Sequence, residues 1–478
     1  MASAFVQLPT YYEIPRVKQA LDKHTDETFR QSVTSLVVIL TTFSGIVLSR
    51  ILTHRLCMRR SLAYILEFAL IVVPGTLFVT VAYPYSVHFV VFMVLLLIVY
   101  IWCTRALTYA RNRDLFDLGT RPAFLTVLRA LTHLITAICI LAIDFECFHR
   151  PYRKSKNYGA QLMDTGIGLF VATMAMVSRR SRNFSDLRRS LLRSALPLIL
   201  LGCARTLSIT IIGYGQDDHE YGKHLNAFFI LGLTKLLGSV ISYFAHNDMQ
   251  LLPFSLVLLI VHQMGLSFAD NAAYVMDEDI DRSSWLNANR EGLYALPGFV
   301  VIYLFFIYFM RWLLSNTLLS YAEMLKKLRQ LLSFALLSWA LTLVSVYTVG
   351  VSRVTCNLGY VMWMLAIVIT MLLLSLFVFD FIINSVVPTE YNPIECVEKG
   401  VKVTEESGEK SVWFIICEAL NMNGLTFFLL ANLLTGFVNI FLKPEERSDS
   451  VSLLILLVYM FVATCVVYHL FSKRIRLA

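Results

Sequence analysis

The residues most able to do chemistry lie in one short segment between two apolar runs. Asp144 ends the first run, and the cations Arg150, Arg153, Lys154 and Lys156 follow before the next run begins. A carboxylate at the edge of hydrocarbon is partly desolvated, which raises its pKa toward that of a useful general base. A turn that brings the Lys154 ammonium beside Asp144 would pair a base for a hydroxyl with a group that stabilises an oxyanion. The alternative for these two residues is a surface salt bridge.

The other three cations of the segment predict binding of a ligand with negative charge. Arg150, Arg153 and Lys156 can donate charge-assisted hydrogen bonds to phosphate oxygens. The alternative is that this loop merely departs from the statistical rule that keeps most Lys and Arg residues in cytoplasmic loops.

The elements that position this segment are membrane helices. Hydrophobic residues make up 57% of the chain and charged residues 15%, with a mean hydropathy of +0.66, whereas soluble domains carry about 25% charged residues. Because a bilayer core needs roughly 20 apolar residues per helix, the sequence predicts an all-α, polytopic transmembrane helix bundle of about 13 transmembrane helices. The apolar runs are continuous rather than alternating, which argues against a β-barrel. The predicted spans centre near Ile39, Val72, Leu95, Ile138, Phe170, Leu200, Leu231, Leu259, Leu304, Leu341, Ile369, Leu429 and Leu457.

The loop charges predict the orientation of the bundle. Lys and Arg collect in alternate loops, near residues 55–60, 105–121, 179–189 and 326–329, and in the tail at 473–476. The positive-inside rule then places the C-terminus in the cytoplasm and the N-terminus on the other side. We expect an N-terminal interfacial segment, residues 1–31, and a single multi-span domain, residues 32–478, with a cytoplasmic linker at about 388–412.

Two ionisable residues near the segment are further candidates for ligand contacts. Asp164 opens the fifth predicted span, where the helix dipole favours a carboxylate, and it could equally orient a ligand hydroxyl. His133 lies in the fourth span, about 16 Å from Asp144 along one helical face, so the two cannot form a direct dyad. His133 either lines a wet cavity or donates to a neighbouring carbonyl.

Amide side chains interrupt the twelfth predicted span. They are Asn421 and the three candidates for ligand contacts, Asn423, Asn432 and Asn439. Asn432 and Asn439 share a helical face because they are seven residues apart. Buried amides need partners inside a membrane, so these residues predict either helix–helix contacts or a polar path for a substrate.

The sequence predicts no metal centre and no disulfide framework. His224 and Asn226 lie in a polar loop, but no helical HxxxH pattern or matching second cluster supports metal binding. The nine cysteines are scattered without a CxxC pair. The net charge of +8 comes from the loops and reports topology rather than nucleic-acid binding.

Taken together, these motifs resemble the glycosylphosphatidylinositol-anchor inositol acyltransferases, a family of multi-span enzymes of the endoplasmic reticulum. The resemblance covers essentially the whole chain. The matching stretches are Ile140–Gly159, Leu162–Phe170, Glu220–Phe229, Asn289–Gly292, Asn357–Trp363 and Asn423–Asn439. Two motifs depart from the family pattern, where Phe-Pro-Arg-Arg reads Phe148-His-Arg-Pro151 and Val-His-Trp-Asn reads Lys223-His-Leu-Asn226. These departures indicate a divergent member rather than another activity.

The resemblance implies an activity and a set of site residues. The reaction is transfer of a long-chain acyl group, such as palmitoyl, from acyl-CoA to an inositol hydroxyl of glucosaminyl-phosphatidylinositol. The resemblance places the protein in the endoplasmic reticulum membrane, and the loop charges put its N-terminus in the lumen. Acyl-CoA is a co-substrate rather than a bound cofactor. Asp144 and Lys154 correspond to the family's catalytic pair. The expected substrate-binding residues are Arg150, Arg153, Lys156, Asp164, His133, His224, Asn226, Asn289, Asn423, Asn432 and Asn439.

Other functions remain compatible with the residues themselves. Direct acyl transfer is favoured over an acyl-enzyme, because the segment offers no Ser or Cys with an adjacent base, Cys147 being the one exception. Many spans with buried polar groups also suit a transporter or flippase for a lipid or phosphorylated solute. A non-catalytic subunit of a membrane complex is a third possibility.

Overall fold

Among the residues that the structure describes, thirteen apolar helices form a bundle. The computed structural model describes residues 14–56, 60–119, 122–212, 218–386 and 414–477. The helices are α1 Asp26–Thr53, α2 Arg60–Val79, α3 Tyr83–Thr104, α4 Ala123–Ala142, α5 Leu162–Met176, α6 Phe184–Ile211, α7 Ala227–Phe244, α8 Asp248–Phe268, α9 Arg290–Leu313, α10 Tyr321–Thr348, α11 Leu358–Val386, α12 Ile415–Phe441 and α13 Asp449–Ser472.

Twelve of these helices are long and apolar enough to cross a membrane, and α5 is shorter. Each predicted span centre falls inside one helix, so the all-α, polytopic prediction is confirmed. Helix α1 belongs to a longer helix, Ile14–Leu56, which runs across the expected domain division at residue 31. The linker expected at about 388–412 lies outside the described residues.

The connections add a few short elements. The described residues form one two-stranded antiparallel sheet, in which β1 (Phe116–Asp117) pairs with β2 (Leu318–Leu319). Short helices lie at Ala106–Arg111, Asn271–Met276 and Trp285–Ala288.

The connections meet at two ends of the bundle, which we name the site end and the opposite end. At the site end, which contains Asp144, the α4–α5 connection contacts the α2–α3 connection through the stacked rings of His149 and Tyr83. It also reaches the α8–α9 connection, where Lys156 pairs with Glu278 at 2.5 Å.

The opposite end gathers the other set of connections. There Arg180, after α5, pairs with Asp248 at the start of α8 at 2.7 Å, and the two strands meet. Helix α5 therefore links the two ends despite its length, and the described chain begins at the site end and finishes at the opposite end. Which end faces the cytoplasm stays a prediction from the loop charges.

Helices α4, α9 and α11 form the centre of the bundle, whereas α3 and α6 lie at its periphery. These central helices are largely apolar and are buried over most of their surface, as expected for helices surrounded by protein inside a membrane. Small residues let them approach closely: a methyl group on Gly168 of α5 would collide with Met364 of α11. The resulting core buries large side chains such as Tyr303 and Trp363 completely.

Buried carboxylates hold the starts of the two helices that lead to Asp144 and Asn439. Glu67 of α2 accepts hydrogen bonds from the backbone N–H groups of Ile415 at 3.0 Å and Ile416 at 2.7 Å. A helix N-terminus leaves such N–H groups without partners inside the helix, and a carboxylate there also interacts favourably with the helix dipole. Asp380 of α11 lies beside the first backbone N–H groups of α4, those of Ala123 and Phe124. Helices α4 and α12 pack side by side, so both acids lie at the opposite end of this helix pair.

Candidate active site

The centre of the candidate site is a carboxylate held by an amide from a distant helix. Asp144 follows the last turn of α4, and its backbone N–H donates to the carbonyl of Leu141 at 3.2 Å. The side-chain amide of Asn439, in the last turn of α12, donates to Asp144 Oδ2 at 2.9 Å. The contact joins residues 295 positions apart, and it orients one carboxylate oxygen.

The surroundings of Asp144 raise its pKa. Burial is the largest cause, since it disfavours the charged form, and the nearby Glu445 acts in the same direction. The hydrogen bond from Asn439 and the charges of Lys154 and Arg153 act in the opposite direction but do not cancel these effects. A carboxylate with a raised pKa is a stronger base than an ordinary one, as the sequence predicted for this residue.

Lys154 does not form the direct hydrogen bond with Asp144 that a catalytic pair would allow. Its ammonium instead forms an ion pair with Glu220 in the α6–α7 connection. Its charge still lowers the pKa of Asp144, so the two groups are within electrostatic range of each other. An ammonium carries three donors, and two N–H groups can therefore serve other acceptors while Glu220 holds one.

Glu220 remains an ionised carboxylate although burial disfavours its charge. Burial acts to raise its pKa, but the charges of Lys154 and Arg353 outweigh burial, so that the pKa lies below its ordinary value. The side chains of Lys154 and Glu220 are 32% and 27% exposed, which leaves the pair open to a ligand.

Asp164 is engaged entirely by protein groups. It is fully buried, and Arg353 Nε donates to its Oδ1 at 3.0 Å. The backbone N–H groups of Ser155 and Gln161 also donate to the carboxylate, each at 3.2 Å. Asp164 thus caps the start of α5, the simpler of its two expected roles, and ties the loop that carries Lys154 to the bundle.

The other cations of the segment lie at the surface of the site end. Arg150 and Arg153 are exposed, and Arg153 donates to the carbonyl of Ile143 at 3.5 Å, beside Asp144. Lys156 pairs with Glu278, and its side chain is 67% exposed. Arg153 is therefore well placed to meet an anionic ligand near Asp144, and Arg150 is exposed in the same loop.

His133 lies deep between helices and has a carbonyl partner. Its Nδ1 lies 2.7 Å from the carbonyl oxygen of Arg129, which is one of the two alternatives that the sequence left open. Its ring packs edge-on against Phe170, and its Nε2 faces Gly424 closely enough that a methyl group there would stand 2.5 Å away. The residue joins α4 to α12 below Asp144.

His224, Asn226 and Asn289 brace the connection that carries Glu220. Asn226 caps α7, accepting from the N–H groups of Phe228 and Phe229 at 3.0 and 3.3 Å. The Asn289 amide contacts both the backbone N–H of His224 at 2.9 Å and its Nδ1 at 3.1 Å. Asn226 and Asn289 are fully buried, so they act on the site through the position of this loop.

The remaining amides of α12 have protein partners. Asn423 interrupts the helix with φ −126° and ψ 40°, and its side chain binds the carbonyl of Ile475 and the N–H of Leu477, each at 2.9 Å. Asn432 donates to the carbonyl of Phe428 in its own helix at 2.7 Å. Of the three predicted amides of α12, Asn439 is the one that the structure brings to Asp144.

Arg353 was not predicted as a site residue from the sequence. This residue lies between α10 and α11, is 4% exposed, and binds Asp164 as well as the carbonyl of Glu220, the latter at 3.5 Å. A single Arg between two apolar runs looks like an ordinary loop cation, and its partners lie on two connections far away in sequence. Glu220 fell inside a recognised stretch, but nothing in the sequence linked it to Lys154.

Comparison with known proteins places the chain in a family. The model of the family described as GWT1 matches residues 21–470. The chain belongs to the GWT1 family. It is 31% identical over 369 residues to the mouse (Mus musculus) glucosaminyl-phosphatidylinositol-acyltransferase PIGW, covering 72% of this chain and 73% of the relative.

Members of this family occur in other kingdoms as well. The GPI-anchored wall transfer protein 1 of Aspergillus fumigatus is 31% identical over 378 residues, covering 74% of this chain and 73% of the relative. An uncharacterised protein of Arabidopsis thaliana is 30% identical over 417 residues, covering 86% of this chain and 88% of the relative. The range matched by the family model, residues 21–470, includes the whole candidate site of this GWT1-family member, and the resemblance seen in the sequence is confirmed.

Proposed function

We propose that this protein transfers a long-chain acyl group from acyl-CoA to an inositol hydroxyl of glucosaminyl-phosphatidylinositol during GPI-anchor biosynthesis. Membership of the GWT1 family and the name of the mouse relative support acyl transfer to this lipid. The observation that carries the proposal is Asp144, an oriented carboxylate of raised pKa beside exposed cations. We expect the reaction in the endoplasmic reticulum membrane, with the site end facing the lumen.

Asp144 acts as the general base. The carboxylate accepts the proton of the inositol hydroxyl while the hydroxyl oxygen attacks the thioester carbonyl carbon. The new ester C–O bond forms, the C–S bond breaks, and the CoA thiolate leaves and takes up a proton. The hydrogen bond from Asn439 leaves the other carboxylate oxygen, Oδ1, to meet the substrate.

Lys154 stabilises the negative charge that develops on the thioester oxygen. Its ammonium is fixed by Glu220 on one side and retains donors for an oxyanion on the other. A donor that is already oriented costs no reorganisation during the reaction. Arg153, which is exposed beside the base, and Arg150, which is exposed in the same loop, bind a phosphate of CoA or of the lipid.

The test is the mass of the lipid product. Purified protein in vesicles is given a long-chain acyl-CoA and glucosaminyl-phosphatidylinositol, and lipids are analysed by mass spectrometry. The proposal expects the acceptor lipid to gain the mass of one acyl chain, with release of free CoA in equal amount. A transporter or flippase would instead move the lipid between leaflets and leave its mass unchanged, which would refute the proposal.

A further inference from the structure

The position of Lys154 is set by three connections that meet at the site end. Its own loop is tied down next to it, because the backbone N–H of Ser155 donates to both carboxylate oxygens of Asp164 at 3.2 Å. Further along the same loop, the N–H of Gly159 donates to the carbonyl of Val351 at 2.9 Å. The ammonium itself is held by Glu220. The Lys154 side chain is thus anchored at both its backbone and its charged tip.

Arg353 links these two anchors without touching Lys154 in the described contacts. Its guanidinium donates through Nε to Asp164 and through Nη1 to the carbonyl of Glu220, at 3.0 and 3.5 Å. It also lies over the ring of Tyr221, 5.6 Å from the ring centre. A planar guanidinium offers several donors in a fixed arrangement, so one side chain can fix two separate loops.

The charges of this group balance. Arg353 and Lys154 supply two positive charges, and Asp164 and Glu220 supply two negative charges, with the Arg353–Asp164 pair almost completely buried. Removing one member of a buried pair leaves a charge that the interior cannot solvate. The four residues are therefore expected to behave as one unit.

We propose that Glu220 and Arg353 are positioning residues for Lys154. Glu220 orients the ammonium toward the reacting oxygen, and Arg353 fixes both Glu220 and the backbone beside Lys154. The inference rests on the proposed function in one respect, namely that Lys154 acts on the reacting groups. Neither residue is required to touch the substrate.

The first test separates positioning from binding. Glu220→Gln keeps the shape of the side chain but removes the charge that directs the ammonium, so kcat should fall about 100-fold while KM for acyl-CoA changes little. Glu220→Asp should recover part of the rate, because the carboxylate is restored on a shorter arm. Arg353→Lys should show the same pattern as Glu220→Gln, since a lysine cannot bridge two loops. Exposed Asp281 at the same end supplies the matched control, Asp281→Asn, which should keep the wild-type kcat.

The second test asks whether the effect passes through Lys154. In a Lys154→Met background, Glu220→Gln should change the residual rate less than twofold, because the group that it positions is gone. A full 100-fold loss in that background would overturn the proposal in favour of a direct or merely structural role.

The third test has a readout other than activity. Reductive methylation followed by mass spectrometry measures how readily each lysine reacts, and Glu220→Gln should raise the labelling rate of Lys154 several-fold by releasing its ammonium. Exposed Lys326 at the opposite end should label equally in both proteins. Unchanged labelling of Lys154 would overturn the inference whether or not the wild-type protein transfers acyl groups. Failure of wild-type transfer with increased labelling would instead count against the proposed function alone.

Discussion

The side-chain amide of Asn439 lies 2.9 Å from the carboxylate of Asp144, at the ends of two helices that run side by side. A buried acid lies at the start of each helix: Glu67 accepts hydrogen bonds from the first N–H groups of α12, and Asp380 lies beside those of α4. The same packing that holds the bundle together therefore sets the geometry of its most reactive carboxylate. A hydrogen bond to one oxygen restricts rotation of the carboxylate and favours its charged form.

Loss of the Asn439 amide should shift the pH dependence of acyl transfer. A general base works when deprotonated, so activity falls as the pH drops through its pKa. The amide lowers the pKa of Asp144, and Asn439→Ala should therefore move the acid limb of the kcat profile to higher pH.

Asn432→Ala provides the comparison, because that amide binds its own helix on the same face. Its acid limb should coincide with that of the wild type. The groups that also act on Asp144, namely Glu445, Lys154 and Arg153, are unchanged in both variants. An acid limb that does not move in Asn439→Ala would contradict Asp144 as the titrating base.

The Lys154–Glu220 pair should make stability depend on pH in a defined direction. The pKa of Glu220 in the folded protein is depressed, because Lys154 and Arg353 outweigh the effect of burial. The carboxylate therefore stabilises the folded state above its unfolded pKa, and this contribution disappears as the pH falls through the folded pKa. The thermal unfolding temperature of Glu220→Gln in detergent should lie below that of the wild type at about pH 7, and the difference should disappear as the pH falls below the folded pKa of Glu220. A gap that stays constant with pH would show that the charge is not the cause.

Gly222 should be irreplaceable in the connection that carries Glu220. Its φ of +100° is strained for any other residue, and a Cβ atom would stand 2.5 Å from Cα of Asn289. We expect Gly222→Ala to lower the free energy of unfolding by about 1–3 kcal/mol and to reduce acyl transfer through displacement of Glu220. Gly436 on α12 has open space around it, so Gly436→Ala should change stability by less than about 1 kcal/mol. Similar effects of the two substitutions would contradict this explanation.

The carboxylate of Glu67 should be needed for stability although it is far from the site. Glu67→Ala leaves the N–H groups of Ile415 and Ile416 without acceptors in a buried setting, at a cost of about 2–4 kcal/mol. Denaturant or thermal unfolding in micelles measures this loss. The exposed acid Asp279 supplies the control, since Asp279→Ala should leave the unfolding transition in place. Equal stability of Glu67→Ala and wild type would show that water or another group replaces the cap.

The helices could be predicted from the sequence because hydrocarbon thickness fixes the length of an apolar run. Even the short α5 was found, since Phe170 lies in an apolar stretch between charged loops. Asp144 was recognised because a carboxylate at the end of such a run is unusual.

The partners of the site residues could not be predicted in the same way. Asn439 reaches Asp144 across 295 residues and Arg353 reaches Asp164 across 189, and no periodicity within one helix encodes such contacts. The α4–α5 connection folds so that the Lys154 ammonium pairs with Glu220, because Asp164 and Val351 hold the backbone that follows Lys154, at Ser155 and Gly159. Tertiary contacts of this kind determine which of several nearby carboxylates forms an ion pair with a lysine.

The single-turnover rate of acyl transfer by Asp144→Asn is the sharpest test of whether Asp144 is the general base. The substitution keeps the size of the side chain and removes its ability to accept a proton. With folded, membrane-inserted protein and saturating acyl-CoA, the rate should fall at least about 100-fold, while Asp281→Asn at the same end of the bundle remains within about twofold of wild type. A rate for Asp144→Asn close to that of the wild type would contradict Asp144 as the base and the account built on it.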